Sequence, residues 1–567
     1  MNTTPETIYP ASQRANPIAI GKPRFSEESL DRTFQEQGAL AAWLQAFRAK
    51  GVRAPEAVAG DFAIAFRDTD GRTFLAIDRF AVRTLCYRQV GNQLLFAERA
   101  DELADASTEI DPQAIFNYLY SHAIASPRTI YKDIFRVPPA HYVLFEDGRL
   151  TVAPYWVPVF EEAAPQPFER LRDEFRALLQ QATARQLDGG KAGCFLSGGT
   201  DSSTVAGMIG LAHGIPAATY SIGFEAEGYD EMAFARIAVR QFHTEHHEYY
   251  VKPEDLVRSI PMVAASYDQP FGNSSALPAY YCAKMAADDG VTRILAGDGG
   301  DELFGGNSRY AKQRVFDWYQ HIPGAIRRGL MEPLLNTKLA GSLPLVRKAA
   351  SYVEQASVPM PDRLKMYNLI TRLGIDQALT KEFLAQVDIS SPLQHQRKVW
   401  AAAHTGNNTN RELAFDWRYT LAESDLPKVC GTTSLAGLDV GFPMLDDDLL
   451  AFSLRLPVDF KLKGLKLRWF FKEALRGFLP DEIITKKKQG FGLPFGVWVT
   501  RDEALRNLAF ESVRSLVERG ILRAEFVEAL LTKHLYEHPG YFGEMIWISM
   551  MLEQWLRARA AGFSIDR

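Results

Sequence analysis

Cysteine is scarce in this 567-residue chain: Cys86, Cys194, Cys282 and Cys430 lie far apart, with no C-x-x-C pair and no dense framework. That usage excludes a disulfide-stapled secreted scaffold and fits a reducing compartment. No apolar run is long enough to span a bilayer, and the opening MNTTPETIYPASQRANPIAIGKP lacks the apolar centre of a signal peptide. A cytoplasmic protein without a membrane span is therefore expected. An excess of one charge is also missing. Net charge is -5 and the basic residues are dispersed, which argues against nucleic acid or an anionic membrane as a partner. There is no internal repeat or low-complexity tract. What the chain has is length and 47% hydrophobic residues, enough for large cores in two or three domains.

Residues 60 to 98 alternate β-prone runs with turn signals: GDFAIAFRD, TDGRT, FLAIDRF, TLCYRQV, GN and QLLFAE. They predict the hairpins of an antiparallel sheet, closed by HYVLFEDGRLTVAPYW. From 166 to 190 the period changes, with Phe168, Leu171, Phe175, Leu178 and Leu179 on one helical face. A boundary is thus expected near Pro165, dividing residues 1–165 from 166–567. Beyond it, the strands GCFL, AATYSIGF, HEYYV and RILAGDGG alternate with helical segments, the order of an α/β parallel sheet. From 310 the pattern is mostly helical and ends in the amphipathic stretch EMIWISMMLEQWLRARA, read as core packing.

The stretch FLSGGTDSSTVAG (195–207) carries the first chemical signal. An apolar run leads into Ser197-Gly198-Gly199-Thr200-Asp201-Ser202-Ser203, and helix-compatible residues follow. In such a strand-turn-helix the glycines let backbone approach a ligand, and the amides and dipole at the helix start favour an anion, phosphate foremost. Asp201 would repel phosphate unless a divalent cation lay between them, so Mg2+ is implied. A lone SGG is usually a capped Ser/Gly turn; the full SGGxDSS string is far more specific. It lacks the lysine of the G-x-x-x-x-G-K-[ST] loop, and it resembles the PP-loop of enzymes that cleave ATP between the α and β phosphates.

LAGDGGDELFGGNSRY (295–310) repeats that logic, with Gly297-Asp298-Gly299-Gly300-Asp301-Glu302 opening from a second apolar strand. Alone, DGGDE reads equally well as an acidic helix cap; downstream of SGGTDSS the balance changes. SGGTDSS, SIGFEAEGYDE (221–231), GDGGDELFGG (297–306), GLDVGFPMLD (437–446) and KKKQGFGLPFGVW (486–498) follow the order seen in the asparagine synthetase family, a likeness covering most of 170–500. The resemblance implies that a carboxylate attacks the α-phosphate of ATP, pyrophosphate leaves, and an amine attacks the acyl-adenylate. The hairpin region resembles the later strands of the family's glutaminase domain. The implied fold is an N-terminal α+β, degenerate Ntn-hydrolase-like glutaminase domain followed by a parallel-sheet, adenine nucleotide α-hydrolase-like (PP-loop) synthetase domain with a helical C-terminal part.

By position within that resemblance, Ser197, Gly198, Gly199, Asp201, Ser202, Ser203 and Gly297 would hold ATP, with Asp201 and Asp301 as Mg2+ ligands. Ser221, Ile222 and Gly223 would meet the nucleoside. Lys488 would offset charge at the reacting phosphate, completing a catalytic set with Asp298 and Asp301. Lys486 and Lys487 read as a solvated basic turn. The spacing of His243, His246 and His247 admits a metal, yet the resemblance places them on a strand entering the sheet. Trp469, Phe470 and Phe471 read as core, with Lys466 at the pocket rim.

The chain also departs from the family. It starts Met1-Asn2-Thr3-Thr4, whereas glutamine-using members have a nucleophilic Cys at position two, and no cysteine precedes Cys86. The first half is thus expected to be a scaffold, with no ammonia made on site. Asp298 stands for a Glu, and Gln269 and Asn273 for acidic residues. Cys430 and Gly431 read as replacing an Asp-Arg pair, and Gly441 an arginine, changes expected to open the pocket and exclude aspartate. Branches lacking the N-terminal cysteine include β-lactam and carbapenam synthetases and lasso peptide cyclases, in which an amine of the same molecule attacks and proximity replaces ammonia delivery. The favoured reading is a lasso-type macrolactam cyclase acting on a peptide or small-molecule carboxylate, with a leader peptidase and a precursor-binding protein as partners. The alternatives are an asparagine synthetase-like enzyme using free ammonia or another amine, and a non-catalytic nucleotide-binding regulator.

Overall fold

The computed structural model describes residues 16–162, 166–320, 322–323, 326–327, 344–487 and 492–565. Strands β1 (Ile18–Gly21), β2 (Phe62–Arg67), β3 (Thr73–Ile77), β4 (Cys86–Val90), β5 (Gln93–Ala97), β6 (His141–Glu146) and β7 (Arg149–Pro154) build the N-terminal half. An antiparallel sheet runs in the order β1-β2-β3-β6-β7, in register through Ala63 with Ile77 and Leu75 with Val143. The period of two sends Phe62, Ile64 and Phe66 to one face and Ala63 and Ala65 to the other. The first face packs on Trp43 and Phe47 of the helix Ala39–Lys50, the second on Tyr87, Leu94 and Phe96 of β4 and β5. Both faces are covered, which explains why the alternation of polar residues in β2 and β3 is weak.

The expected boundary at Pro165 lies outside the described residues; β7 ends at Pro154, and a helix runs from Phe168 to Gln186. Beyond it, β8 (Gly193–Phe195), β9 (Ala218–Phe224), β10 (Glu245–Val251), β11 (Arg293–Leu295) and β12 (Asp439–Gly441) form a wholly parallel sheet in the order β10-β9-β8-β11-β12. Strand order reverses between β8 and β11. In open parallel sheets the crevice at that reversal, beyond the strands' C-terminal ends, is where ligands sit. The two glycine-rich turns leave from the ends of these two neighbours. The strand β12, within GLDVGFPMLD, extends the sheet and was not evident from periodicity.

The last long helix, Pro539–Arg559, corrects one expectation. It is not amphipathic: every residue from Met545 to Leu556 is buried. Such a helix is a core element, and its polar atoms need partners. Trp547 Nε1 donates to Gly272 O, Trp555 Nε1 to Tyr267 O, and Glu553 accepts from Arg519 at 2.6 Å. Among the described residues no helix is long and apolar enough to cross a membrane.

Charged pairs join the halves. Arg24 reaches Asp446 at 2.8 Å, Arg83 reaches Asp439 at 2.9 Å, and Arg136 reaches Asp268 at 2.6 Å. Burial alone would raise Asp268, but Arg136, Arg99 and the Ala100 amide outweigh it and hold the carboxyl below its usual range.

Candidate active site

A cavity of about 870 Å³ opens beyond β8 and β11. The first wall is the turn after β8. Gly198 has φ +70, a left-handed conformation in which an L side chain is strained, and a Cβ there would strike the backbone of Phe234 and Ala235. Ser202 Oγ accepts from the Ser197 amide at 3.2 Å, closing the turn, and Thr200 starts the helix that runs to His213. Gly297, after β11, brings the second turn against the first: a Cβ there would lie 2.8 Å from the Ser202 amide. The expected residues Ser197, Gly199, Asp201, Ser202, Ser221, Ile222, Gly297, Asp298 and Asp301 all line this space. Gly198, Ser203 and Gly223 do not. Ser203 is fully buried on the inner side of its helix, and Gly223 lies against the Tyr250 ring.

The two carboxylates assigned to metal converge. Arg468 Nη1 donates to Asp201 at 2.7 Å, Asp301 at 2.8 Å and Thr200 Oγ1 at 3.0 Å, while Nη2 meets the other Asp201 oxygen. Arg468 itself holds a left-handed φ of 54, fixed by its amide donating to Gly305 O at 3.1 Å, and its guanidinium lies 3.9 Å over Phe471. Burial opposes its charge, but Asp201 and Asp301 outweigh that and raise its pKa further. A guanidinium bridging two carboxylates shows that the pair is arranged to share one cation. With hard oxygen donors on adjacent glycine turns, the residues present fit Mg2+.

Deeper in the cavity, Lys428 donates to Asp298 at 3.3 Å and to Asp425 at 3.2 Å. Burial lifts Asp298 above the ordinary carboxylate range despite Lys428, and the two acids together raise Lys428 against its own burial. The structure corrects the expectation that Cys430, Gly431 and Gly441 open the pocket. Neither Cys430 nor Gly431 lines the cavity: Cys430 Sγ points to Val82 O at 3.7 Å, and a Cβ on Gly431 would enter the Tyr267 ring. Gly441 is walled by Gln186, Leu295 and Arg293. These positions are packed and open no extra space; the charged side chains that reach the cavity from this stretch are Asp425 and Lys428. Gln269 and Asn273 are likewise turned away, donating to Ile124 O and Ser424 Oγ.

Lys486 needs the same correction. Its side chain is 7% exposed, 2.8 Å from Glu231, 4.5 Å over Phe234 and 3.5 Å from Gly198 O, so it is pinned to the first turn rather than solvated. Lys487 and Lys466 lie on the cavity lining, and Lys488 falls outside the described residues. The histidines part along β10, as alternation requires. His246 meets Thr219 at 2.9 Å, and His247 meets Asp289 at 3.3 Å beside Lys191, whose ammonium already joins Asp289 and Glu245. Phe470 and Phe471 are core, as expected, while Trp469 lines the cavity. Sequence reasoning missed Arg468, Lys428, Asp425 and Glu231. None stands in a glycine-rich string, though the Asp425–Lys428 spacing of three places both on one helix face.

Comparison with known proteins agrees with this geometry. The family described as asparagine synthase matches residues 174–557, more than half of the chain. The chain belongs to the asparagine synthase family. Residues 24–156 match a glutamine amidotransferase domain. Asparagine synthetase [glutamine-hydrolyzing] 1 of Bacillus subtilis is 23% identical over 540 residues, covering 93% of this chain and 82% of that protein. A putative asparagine synthetase of Mycobacterium bovis is 24% identical, covering 92% and 80%. The amidase chry2 of Gibberella zeae is 25% identical, covering 77% and 70%. Asparagine synthase membership meets the expectation of an ATP-dependent carbon–nitrogen ligase of asparagine synthetase type.

Proposed function

We propose that the cavity adenylates a carboxylate with ATP and passes the acyl group to an amine carried by the substrate itself, the specific case being macrolactam closure of a lasso-type precursor peptide. The observation behind this reading is the convergence of the two acid-bearing turns at the β8–β11 reversal, beside the Asp298–Lys428–Asp425 trio. The PP-loop amides and serines Ser197 and Ser202 hold the phosphates, and Ser221 and Ile222 flank the nucleoside. Asp201 and Asp301 would hold Mg2+, which when bound offsets phosphate charge. A substrate carboxylate oxygen attacks the α-phosphorus, the bond to the β-phosphate oxygen breaks, and pyrophosphate leaves. The amine then attacks the acyl carbon, AMP leaves with the bonding pair, and Asp298, with its raised pKa, accepts the proton shed by the amine.

That the amine comes with the substrate is supported by the chemistry of the first half. Its single thiol, Cys86, lies buried in β4 and is pushed up to about 12, so it holds no thiolate for attack on glutamine. A second reading, a small amino acid amidated by free ammonia or another amine, is favoured by the Asp298–Lys428–Asp425 trio, whose alternating charges suit a zwitterion. Purified protein with ATP, Mg2+ and candidate acids should release AMP and pyrophosphate. Loss of one water from a linear peptide selects cyclisation, and amide formation only with added ammonium selects the second reading. Asp301→Ala and Lys488→Ala should abolish AMP formation with the fold intact; wild-type turnover in both refutes the assignment.

A further inference from the structure

Asp425 and Lys428 reach the cavity from an unusual piece of backbone. Residues Trp417–Asp425 form a nine-residue π-helix that leads directly into the helix Leu426–Leu435. Long π-helical runs are rare because the i→i+5 pattern packs the backbone poorly, so tertiary contacts must hold one in place. Here the contacts come from three sides. At its start, Trp417 Nε1 donates to Glu302 O at 2.9 Å, in the second acidic turn. Near its end, Ser424 accepts from Asn273 at 3.1 Å.

The third side is the amidotransferase-like half. Glu423, 8% exposed, accepts from the Ser126 amide at 3.1 Å and the Ser126 hydroxyl at 2.7 Å, and pairs with Arg418 on the same helix. Arg418 Nη2 in turn donates to Ser126 O at 2.7 Å and Ser126 Oγ at 2.8 Å. Despite its burial Glu423 is held below the usual carboxylate range, because Arg418 and Ser126 outweigh desolvation. Ser126 itself is 1% exposed, so no water replaces it. The network fixes residue 423, two positions before Asp425.

We propose that the amidotransferase-like half serves the synthetase reaction as a positioning element: Ser126, through Glu423 and Arg418, holds the π-helical segment in the register that presents Asp425 and Lys428 to the acyl substrate. This inference rests on the proposed function only in taking that trio as the acyl-substrate subsite. It gives a role to a domain whose thiol is unreactive. Ser126, Arg418 and Glu423 are positioning residues; the groups facing substrate are Asp298, Asp425 and Lys428.

The test compares full-length wild type with Ser126→Ala and Glu423→Gln. Hydrogen–deuterium exchange should quicken in peptides covering 417–428 while 197–213 keeps its wild-type protection. Binding of Mg2+ with α,β-methylene-ATP, measured by calorimetry, should stay within a factor of about two, since the nucleotide wall is untouched. With hydroxylamine as the trapping amine and whichever acid supports AMP release in wild type, KM for the acid should rise about 10-fold in Ser126→Ala, the loss of one hydrogen bond to a charged group, with KM for ATP unchanged. Glu423→Gln, which keeps an acceptor, should lie between; it also stands in should Ser126→Ala not fold. Unchanged exchange at 417–428, or equal shifts in both KM values, overturns the proposal. Absence of AMP release in wild type would instead overturn the proposed function, and the exchange experiment would still decide the positioning role of Ser126.

Discussion

Replacing Arg468 with methionine should make the stability of the protein depend on Mg2+. The substitution keeps a flexible apolar stem over Phe471 but removes the guanidinium shared by Asp201, Asp301 and Thr200. Removing one partner of a buried ion pair costs about 3–5 kcal/mol, because the remaining charge is left uncompensated. Asp201 and Asp301 keep 23% and 19% of their side-chain surface, so water screens part of that cost and the low end, about 3 kcal/mol, applies. For a domain the length of residues 174–557, an unfolding entropy of about 0.8 kcal/mol/K turns this into a Tm loss of about 4 °C. A cation that binds Asp201 and Asp301 at 100 times its Kd returns about 2.7 kcal/mol, or roughly 3 °C. In wild type the same cation must first displace Arg468, so its gain is smaller. Calorimetric or dye-monitored melting with EDTA and then with Mg2+ measures both. The reasoning fails if Arg468→Met melts within about 1 °C of wild type in EDTA, or if Mg2+ raises the variant no more than wild type.

Lys486→Met and Glu231→Gln should each lower the rate of AMP formation, and the double variant should be no worse than the poorer single one. Additive losses in that cycle would show that the pair does not act as one unit. Cys86→Ala should leave ATP-dependent turnover unchanged, and wild type should release no glutamate from glutamine; glutaminase activity lost on this substitution would overturn the reading of Cys86 as inert. Asp268 has a folded-state pKa below its unfolded value, so its contribution to stability is fully present above the ordinary carboxylate pKa and is lost as pH falls through the depressed one. The acid-induced stability loss should therefore contain a component that Asp268→Asn lacks, confined to pH below about 4; identical pH profiles would contradict it.

The glycine-turn half of the cavity was legible in the sequence because its signal is local. A strand, paired glycines and an acid stand within a few residues of one another in both turns. Lys466 was legible at the rim; Arg468 and Lys428 were not. Arg468 acts through a left-handed backbone that no neighbouring glycine announces, and its partners lie in two other segments. Asp425 and Lys428 stand at the junction of the π-helix Trp417–Asp425 with the helix Leu426–Leu435, and no local string of residue types marks that junction. Lys486 looked solvated because three consecutive lysines usually are; burial against Phe234 and Glu231 is a property of the assembled domain. The C-terminal helix was rightly read as core, but not as amphipathic: its few polar residues find internal partners.

The neighbouring strands β8 and β11 are consecutive in space but separated in the chain by β9, β10 and their helices. The nucleotide clamp proposed for the two turns therefore has no precursor in a piece of the polypeptide that ends before β11. On the proposed function, a nascent chain still on the ribosome cannot grip nucleotide between the two turns until residues through Gly306 have emerged and β11 has inserted beside β8, before β12 adds the last strand of the sheet. The same layout lets the protein be divided: two fragments parted between β10 and β11 would each be silent, and recovery of nucleotide binding would report their reunion.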